Sequence, residues 1–239
     1  METFNKVYLD LPEEERLLRE NFDNVVNMEF FNRSRSWMQE YNRLMSYYRC
    51  ALMEIETKLN VLNEEFSLRY DRNPISDVKS RLKQVSSVKE KLERRGFPLT
   101  LDSIQENLND VAGIRVICPF LKDVYTIADA LLSQDDIVLI ERKDYIKKPK
   151  GNGYRSLHLI LSVPIFLAKE KRRMKVEVQL RTIAMDFWAT LEHQLNYKKD
   201  FAITDDMMQE LYLCAEFSAQ LDERMDRLRS MIPEVSLDE

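Results

Sequence analysis

The sequence contains few of the residues that build cross-linked or glycine-rich proteins. Among its 239 residues there are four glycines, three cysteines and two histidines. The cysteines Cys50, Cys118 and Cys214 are isolated and odd in number, which predicts reduced thiols rather than a disulfide framework or a zinc site. No glycine-rich G-x-x-x-x-G-K-S/T loop occurs, and this absence excludes a nucleotide site of the P-loop type.

Long apolar segments are missing as well. The longest apolar stretch, Leu157 to Ala168, is too short to cross a bilayer and contains His158 and Pro164. The N-terminus has neither the basic nor the apolar region of a signal peptide. We therefore expect a cytoplasmic protein without membrane association, whose 44% hydrophobic residues suffice for one sizeable core.

The charged residues are unevenly distributed along the chain. A net charge of −5 argues against a general nucleic-acid binder. Basic residues concentrate in segments 79–95 and 142–150, whereas the tail from Asp205 onward is acidic. Two basic segments in an acidic protein predict local sites for polyanions such as nucleotide phosphates.

Two long amphipathic helices are predicted towards the ends of the chain. Apolar residues recur at 4-3 spacing from Trp37 to Phe66, which is the pattern of one helical stripe. Asn73-Pro74 is expected to end this helix. A second stripe runs from Met208 to Leu228 and is followed by Pro233.

Strands alternate with helices between these two stripes. A short strand or a turn is expected at about 75–82, and strands are expected at about 111–118, 137–143, 154–163 and 174–181. Helices are expected up to Arg95-Gly96, over 101–107, over 121–132 and after Thr182. This order predicts an α/β (α+β) fold, with a mixed β-sheet of about five strands flanked by helices.

Residues 172–193 form the most informative segment. Apolar and polar side chains alternate there with a period of two, which predicts a strand with one buried face. The apolar set is Met174, Val176, Val178 and Leu180, and the polar set is Lys175, Glu177, Gln179 and Arg181. A carboxylate between amide and cationic side chains suits a site for phosphate, metal and a sugar hydroxyl. Thr182 is then placed to cap the following helix, which carries Phe187, Trp188, Leu191 and His193.

The segment GNGYRSLHLILSV shows a second polar row. Tyr154, Ser156 and His158 share one parity, and the leucines that follow share the other. The glycines Gly151 and Gly153 are expected to make the approach to this strand flexible. If the two strands are neighbours, an aromatic ring, an imidazole, a carboxylate, an amide and a guanidinium converge.

Three motifs resemble a known family. KGNGYRSLHL, VEVQLRT and MDFWATLEHQLNYK are similar to the synthetase domain of RelA/SpoT homologues, and more narrowly to the small alarmone synthetases. The resemblance covers about Ile75 to Lys198. It implies a nucleotidyltransferase-like synthetase domain over 34–204, a helical extension over 1–33 and a C-terminal helix over 205–239.

The resemblance also implies an activity. These bacterial enzymes are Mg²⁺-dependent GTP/GDP pyrophosphokinases of the stringent response. They move pyrophosphate from ATP to the 3′-hydroxyl of GDP or GTP and so make (p)ppGpp. The sequence does not rank GDP, GTP and GMP as acceptors. It has two histidines and no His-Asp pair, so the hydrolase site of the larger relatives is absent.

The catalytic residues implied by the resemblance are two carboxylates. Glu177 would contact the catalytic magnesium and take the proton from the ribose hydroxyl. Asp110 begins the pattern Asp-x-Ala-Gly-x-Arg and would be a metal ligand. The structural alternatives are a solvated strand residue for Glu177 and a turn or cap residue for Asp110.

The nucleotide-binding residues are implied in the same way. Arg81 and Arg115 would sandwich the adenine of ATP, since guanidinium planes stack on rings. Its phosphates would be contacted by Lys83, Lys91, Arg94 and Arg95. Tyr154 would stack on guanine beside His158, with Lys143, Lys150, Gln179 and Arg181 as further contacts. His193 and Asn196 would support the site from the helix.

Two rival functions stay open at this point. A nucleotidyltransferase of related fold would attack the α-phosphate and release pyrophosphate instead of AMP. A non-catalytic nucleotide or single-stranded RNA binder would use the basic segments and Tyr154, but it would gain nothing from Asp110 and Glu177. Relatives with this helix layout are homotetramers, and because the two stripes offer more apolar surface than one small core covers, we expect a homotetramer here. RNA is not an expected obligate partner.

Overall fold

A five-stranded mixed β-sheet is the framework that carries the polar residues singled out above. The computed structural model describes residues 13–70, 72–197 and 204–232, and the side chains of 36–69, 72–195 and 204–232. The strands are β1 (Asp77–Leu82), β2 (Ala112–Cys118), β3 (Val138–Asp144), β4 (Leu157–Phe166) and β5 (Lys171–Thr182). The helices are α1 (Glu13–Tyr70), α2 (Val85–Arg94), α3 (Leu101–Asn107), α4 (Leu121–Leu132), α5 (Ile183–Tyr197) and α6 (Asp205–Ser230).

The strand order is β1-β2-β5-β4-β3. Strands β2 and β5 are parallel, and the other neighbours are antiparallel. The expected mixed sheet of about five strands is therefore confirmed, and so is the pairing of the two polar strands. Tyr154 itself lies in the loop before β4, because the ladder begins at Leu157.

The two faces of the sheet differ in character, as the period of two in β5 requires. Met174, Val176, Val178 and Leu180 are all at most 5% exposed. They point to the face against which α4 packs. The alternate residues of β5 point to the opposite face, which is the polar one.

Helix α1 buries its apolar stripe within the chain itself. Tyr48, Ala51, Ile55 and Leu59 are at most 1% exposed. Lys58 Nζ lies 2.8 Å from Asp136 Oδ2, which ties the helix to the segment before β3. The expectation of a surplus apolar surface is therefore wrong for α1, since most of its stripe already has intramolecular partners.

The chain divides into two compact units, Met1–Met45 and Ser46–Glu239. Helix α1 runs without interruption through position 33, where the sequence suggested the end of an extension. Within the first unit, the rings of Trp37 and Tyr41 stack with centroids 5.3 Å apart. The expectations for residues 1–12 and for Pro233 lie outside the described residues.

Within the second unit, helix α6 packs against its neighbours through small and polar residues. Its buried side chains are Ala215, Ala219 and Asp222. Gly153 approaches this helix so closely that a Cβ atom there would lie 2.5 Å from the Ala215 Cβ, and its φ is +88°. The glycine therefore allows a tight left-handed turn against α6, and the expectation that it makes the segment flexible is revised.

No helix within residues 13–70, 72–197 and 204–232 combines the length and apolar character that a bilayer crossing requires.

Candidate active site

One row of polar side chains crosses the whole sheet. The register pairs Lys143 with His158, His158 with Gln179, Gln179 with Arg115, and Arg115 with Lys79. Directly paired residues point to the same face of a sheet. These five side chains from five strands therefore line one surface.

The neighbouring row contains the proposed catalytic carboxylate. Gly113 is paired with Arg81 on one side and with Glu177 on the other. Gly113 has no side chain, and the Arg81 side chain lies over it, 3.9 Å from where a Cβ would be. The absence of a side chain leaves room on the sheet surface between Arg81 and Glu177.

Glu177 is held by two hydrogen bonds from neighbouring strand residues. His158 Nδ1 lies 3.1 Å from its Oε1, and Gln179 Nε2 donates to its Oε2 at 3.0 Å. Burial alone would raise the pKa of Glu177, but these hydrogen bonds outweigh it and hold the pKa below the ordinary value. Glu177 is therefore ionised at neutral pH, with its side chain 15% exposed.

The hydrogen bonds around His158 have a consistent direction. His158 Nε2 lies 2.8 Å from the Tyr154 hydroxyl, and Arg181 donates to that hydroxyl oxygen at 2.7 Å. If the Tyr154 hydroxyl donates to Nε2, the imidazole carries its proton on Nδ1 and donates to Glu177. A chain of donors then runs from Arg181 through Tyr154 and His158 to the Glu177 carboxylate.

Asp110 is the second carboxylate of the site. It stands just before β2 and accepts hydrogen bonds on Oδ2 from Lys83 at 2.9 Å and from Lys91 at 2.7 Å. Burial opposes ionisation of Asp110, yet these two lysines hold its pKa below the ordinary value. The negative charge of Asp110 acts to raise the pKa of Glu177, against the hydrogen bonds that lower it.

Arg81 and Arg115 line one small cavity. The cavity measures about 120 Å³ and is bordered by neighbouring residues of β1 and β2 together with Gln179. Arg81 is exposed and Arg115 is half-buried. The two guanidinium groups thus border a common space on the polar face.

Three further residues expected to bind the guanine nucleotide, Lys150, Lys143 and Tyr154, have contacts of their own. Lys150 lies in the loop before β4, with Nζ 4.6 Å from the Tyr154 ring centroid and 4.7 Å from that of Tyr145. Lys143 forms an ion pair with Glu141 at 2.9 Å, and this hydrogen bond raises the pKa of Lys143. Tyr154 is in edge contact with the His158 ring.

Four expected residues lie away from the central cluster or outside the description. Arg94 and Arg95 are exposed at the end of α2. His193 is exposed on α5. The side chain of Asn196 lies outside the described residues.

Two residues of the site were not recognised in the sequence. Asp186, in the first turn of α5, lies 3.1 Å from Arg181 NH1 and 3.2 Å from Arg115 NH1. Tyr145 packs edge-on against both Tyr154 and His158. The sequence offered one indication of this contact: Asp186 lies five residues after Arg181, in the first turn of the helix that Thr182 caps. Thr182 does cap α5, since its Oγ1 accepts from the Met185 N–H at 3.1 Å.

The donor set suits a hard cation that is shared with phosphate oxygens. Asp110 Oδ1 is buried and has no hydrogen-bond partner in the structure. Magnesium is commonly held by one or two carboxylates together with substrate phosphates. Within the described part of the chain, no group of three or more His, Cys, Asp and Glu side chains could hold a metal by itself. Asp110 and Glu177 therefore fit a cation that arrives with a nucleotide.

The sequence and the fold have close counterparts among known proteins. The family described as "Region found in RelA / SpoT proteins" matches residues 80–202. GTP pyrophosphokinase YwaC of Bacillus subtilis is 40% identical over 188 residues, which are 79% of this chain and 90% of the relative. GTP pyrophosphokinase YjbM of the same organism is 34% identical over 196 residues, covering 82% and 92%.

Solved structures agree with these matches. The small alarmone synthetase 1 from Bacillus subtilis, bound to its product pppGpp, superimposes with a TM-score of 0.75 at 34% identity and covers 82% of this chain and 100% of that chain. The same relative bound to AMPCPP gives a TM-score of 0.69 at 30% identity, with coverage of 82% and 100%.

Proposed function

The chain belongs to the RelA/SpoT family and is a GTP pyrophosphokinase, a small alarmone synthetase that makes (p)ppGpp; we propose that the polar face of its sheet is where the reaction occurs. The observation that carries this proposal is the pair of carboxylates on this face, Asp110 bound by Lys83 and Lys91 and Glu177 bound by His158 and Gln179. Both carboxylates have a pKa below the ordinary value. The products are (p)ppGpp and AMP, because the β,γ-pyrophosphate of ATP moves to the 3′-hydroxyl of GDP or GTP.

The donor nucleotide lies on the β1–β2 side of the face. The adenine enters between Arg81 and Arg115, whose guanidinium groups border one cavity. The triphosphate then reaches Lys83 and Lys91, with Arg94 and Arg95 supplying further positive charge at the exposed edge. These cations hold the β-phosphorus in position and spread the charge of the departing AMP.

The acceptor nucleotide lies on the β4–β5 side. Its guanine stacks on the Tyr154 ring, and the exposed Lys150 yields that place to the base and turns to the phosphates. Tyr154 keeps a fixed orientation because its hydroxyl is bound by Arg181 and His158. Gln179 and Lys143 complete the contacts around the ribose and the phosphates.

Glu177 accepts the proton of the ribose 3′-hydroxyl. The hydroxyl oxygen forms a bond to the β-phosphorus while the bond between this phosphorus and the α–β bridging oxygen breaks. A carboxylate with a lowered pKa is a weak base. Mg²⁺, which Asp110 and Glu177 would hold, would neutralise phosphate charge and lower the pKa of the ribose 3′-hydroxyl, so that a weak base can take its proton.

The test is the substitution Glu177→Gln. Gln retains the size but has a single acceptor oxygen, so it can keep only one of the two hydrogen bonds from His158 and Gln179. It cannot take a proton, so we expect turnover to fall by about 10²–10⁴-fold. Nucleotide binding and the unfolding midpoint should change little. Product is measured by chromatography after incubation with ATP, Mg²⁺ and each of GDP, GTP and GMP. Turnover near that of the wild type would remove Glu177 from the mechanism.

The same assay decides the rival reaction. A nucleotidyltransferase attacking the α-phosphate would release pyrophosphate, whereas the proposed reaction releases AMP in equal amount to (p)ppGpp. The cytoplasm, where ATP and guanine nucleotides are abundant, is the proposed location.

A homotetramer with closed symmetry is the proposed assembly. The support comes from α5 and α6, whose outward faces carry Phe187, Phe217, Leu221 and Leu228, each at least 54% exposed. Several large apolar side chains exposed on two neighbouring helices favour an interaction site there. Light scattering should give a mass near four times 28.5 kDa, and a monomer mass that persists as the concentration rises would contradict the proposal.

A further inference from the structure

Asp186 connects two arginines that come from neighbouring strands. Its Oδ1 lies 3.1 Å from Arg181 NH1 and 3.2 Å from Arg115 NH1. Arg181 stands at the end of β5, Arg115 stands in the parallel strand β2, and Asp186 comes from the first turn of α5. One carboxylate oxygen is therefore shared by two guanidinium groups.

The ion pairs of Asp186 are largely removed from solvent. Arg181 is only 4% exposed and Asp186 only 9%. Burial and the charge of Arg181 hold the pKa of Arg115 below its ordinary value, and Asp186 opposes this effect. Removing one partner of a buried ion pair leaves an uncompensated charge in a medium that solvates it poorly. Without Asp186, the buried Arg181 would lose its carboxylate and would face the half-buried Arg115.

The two arginines lead to different halves of the site. Arg115 borders the cavity assigned to adenine. Arg181 donates to the Tyr154 hydroxyl at 2.7 Å and to Gln179 Oε1 at 3.1 Å, and Gln179 donates in turn to Glu177. One residue, Arg181, therefore separates Asp186 from Tyr154, and two residues, Arg181 and Gln179, separate it from Glu177.

The position of Asp186 is fixed by the turn that precedes it. Thr182 caps α5 through the Met185 N–H, and its own hydroxyl donates to Asp222 of α6 at 2.6 Å. The first turn of α5 is therefore anchored to α6 as well as to β5.

We propose that Asp186 is a positioning residue that holds the donor-site Arg115 and the acceptor-site Arg181 together, and thereby couples the two nucleotide sites. The inference rests on the proposed function for the identity of the two ligands. It assigns Asp186 no contact with the reacting atoms.

The test compares Asp186→Asn with the wild type in two separate titrations, one with GDP and one with AMPCPP. Asn retains the shape but removes the charge shared by both arginines, so each ligand should bind about tenfold or more weakly. The matched control is Asp102→Asn, since Asp102 is also an acidic residue in the first turn of a helix but is exposed. Its affinities should equal those of the wild type, and Asp186→Glu should recover part of the loss for both ligands.

A double substitution separates positioning from a general loss of structure. Arg115→Gln together with Asp186→Asn removes one charge of each sign and the repulsion between the two guanidinium groups, and the unfolding midpoint of every variant is measured to show that it folds. Its affinity for AMPCPP should equal that of Arg115→Gln alone, because the contact is already lost. Its affinity for GDP should still be lower than that of Arg115→Gln, because Arg181 has lost its carboxylate.

Two results would overturn the inference. One is unchanged affinity for both ligands in Asp186→Asn. The other is an additive loss of AMPCPP affinity in the double variant, which would mean that Asp186 acts on that site without Arg115. Neither result concerns turnover. If the wild type binds both ligands yet forms no (p)ppGpp and AMP, the proposed function fails while these affinities still decide the role of Asp186.

Discussion

The substitution Asp222→Asn should stabilise the protein at neutral pH. Asp222 is 6% exposed, and burial raises the pKa of its carboxyl to about 6 against an ordinary value of 3.8. The hydrogen bond from Thr182 and the charge of Arg155 act in the opposite direction, whereas Asp226 adds to the rise. The folded chain therefore favours the neutral acid, and at pH 7 it carries an ionised group in an unfavourable place.

The magnitude follows from the shift. A rise of roughly two pKa units corresponds to about 3 kcal/mol of lost stability once Asp222 is ionised. The shift already includes the hydrogen bond from Thr182, so Asn, which cannot ionise, should gain up to about 3 kcal/mol at neutral pH. This gain corresponds to roughly 6–12 °C in Tm for a chain of this length.

The sign of the pH dependence is fixed by the direction of the shift. The neutral acid contributes stability that is fully present below the unfolded pKa and is lost as the pH rises through about 6. The advantage of Asn should therefore be largest at pH 7–8 and should disappear towards pH 4.

Urea unfolding of both proteins between pH 4 and 8, at one protein concentration, measures this difference. Glu223→Gln, an exposed change on the same helix, is the control and should change the midpoint little at any pH. A difference between Asn and wild type that stays constant across the range, or an Asn variant that is less stable at pH 8, would refute the reasoning.

Three further outcomes are expected. Tyr154→Ala should weaken the binding of GDP by roughly 1–3 kcal/mol and the binding of AMPCPP much less. Equal losses of affinity in the two titrations would mean that Tyr154 is a packing residue. His158→Leu removes a hydrogen bond that lowers the pKa of Glu177, so the acidic limb of kcat/KM against pH should move to higher pH, and an unmoved limb would contradict that role. Leu221→Glu, on the exposed face of α6, should reduce the mass measured by light scattering, whereas Glu223→Gln should leave it unchanged.

The polar face could be predicted because strand periodicity is local. The alternation around Glu177 and the parity of Ser156 and His158 each required only the neighbouring residues. The bounds of β2 and of α3 followed in the same way from short apolar runs and turn residues. Their meeting on one surface depended on strand order, which the shared chemistry of the two segments suggested and the register now shows.

The features that the sequence did not predict depend on contacts between helices and strands that are distant in the sequence. Asp186 reaches Arg115 because of the angle at which α5 leaves β5, and no local pattern encodes that angle. The stripe of α1 has the same 4-3 spacing whether it packs within its own chain or on another subunit. Gly153 was expected to make the approach to β4 flexible, and the contact with Ala215 that constrains it instead depends on where α6 lies.

The pKa values of Asp110 and Glu177 are lowered by different means, and the difference suits the tasks that we propose for the two carboxylates. Asp110 is held by the charges of Lys83 and Lys91, which an arriving triphosphate would also attract, so its environment changes when the donor binds. Glu177 is held by donors from His158 and Gln179, which belong to a network anchored at Asp186 and need not move. Preorganised groups of this kind act on the transition state without a cost of reorientation. The surroundings of Asp110 can change when a nucleotide binds, whereas those of Glu177 stay fixed. Such a site can admit two nucleotides and still hold the proposed base, Glu177, in a constant position.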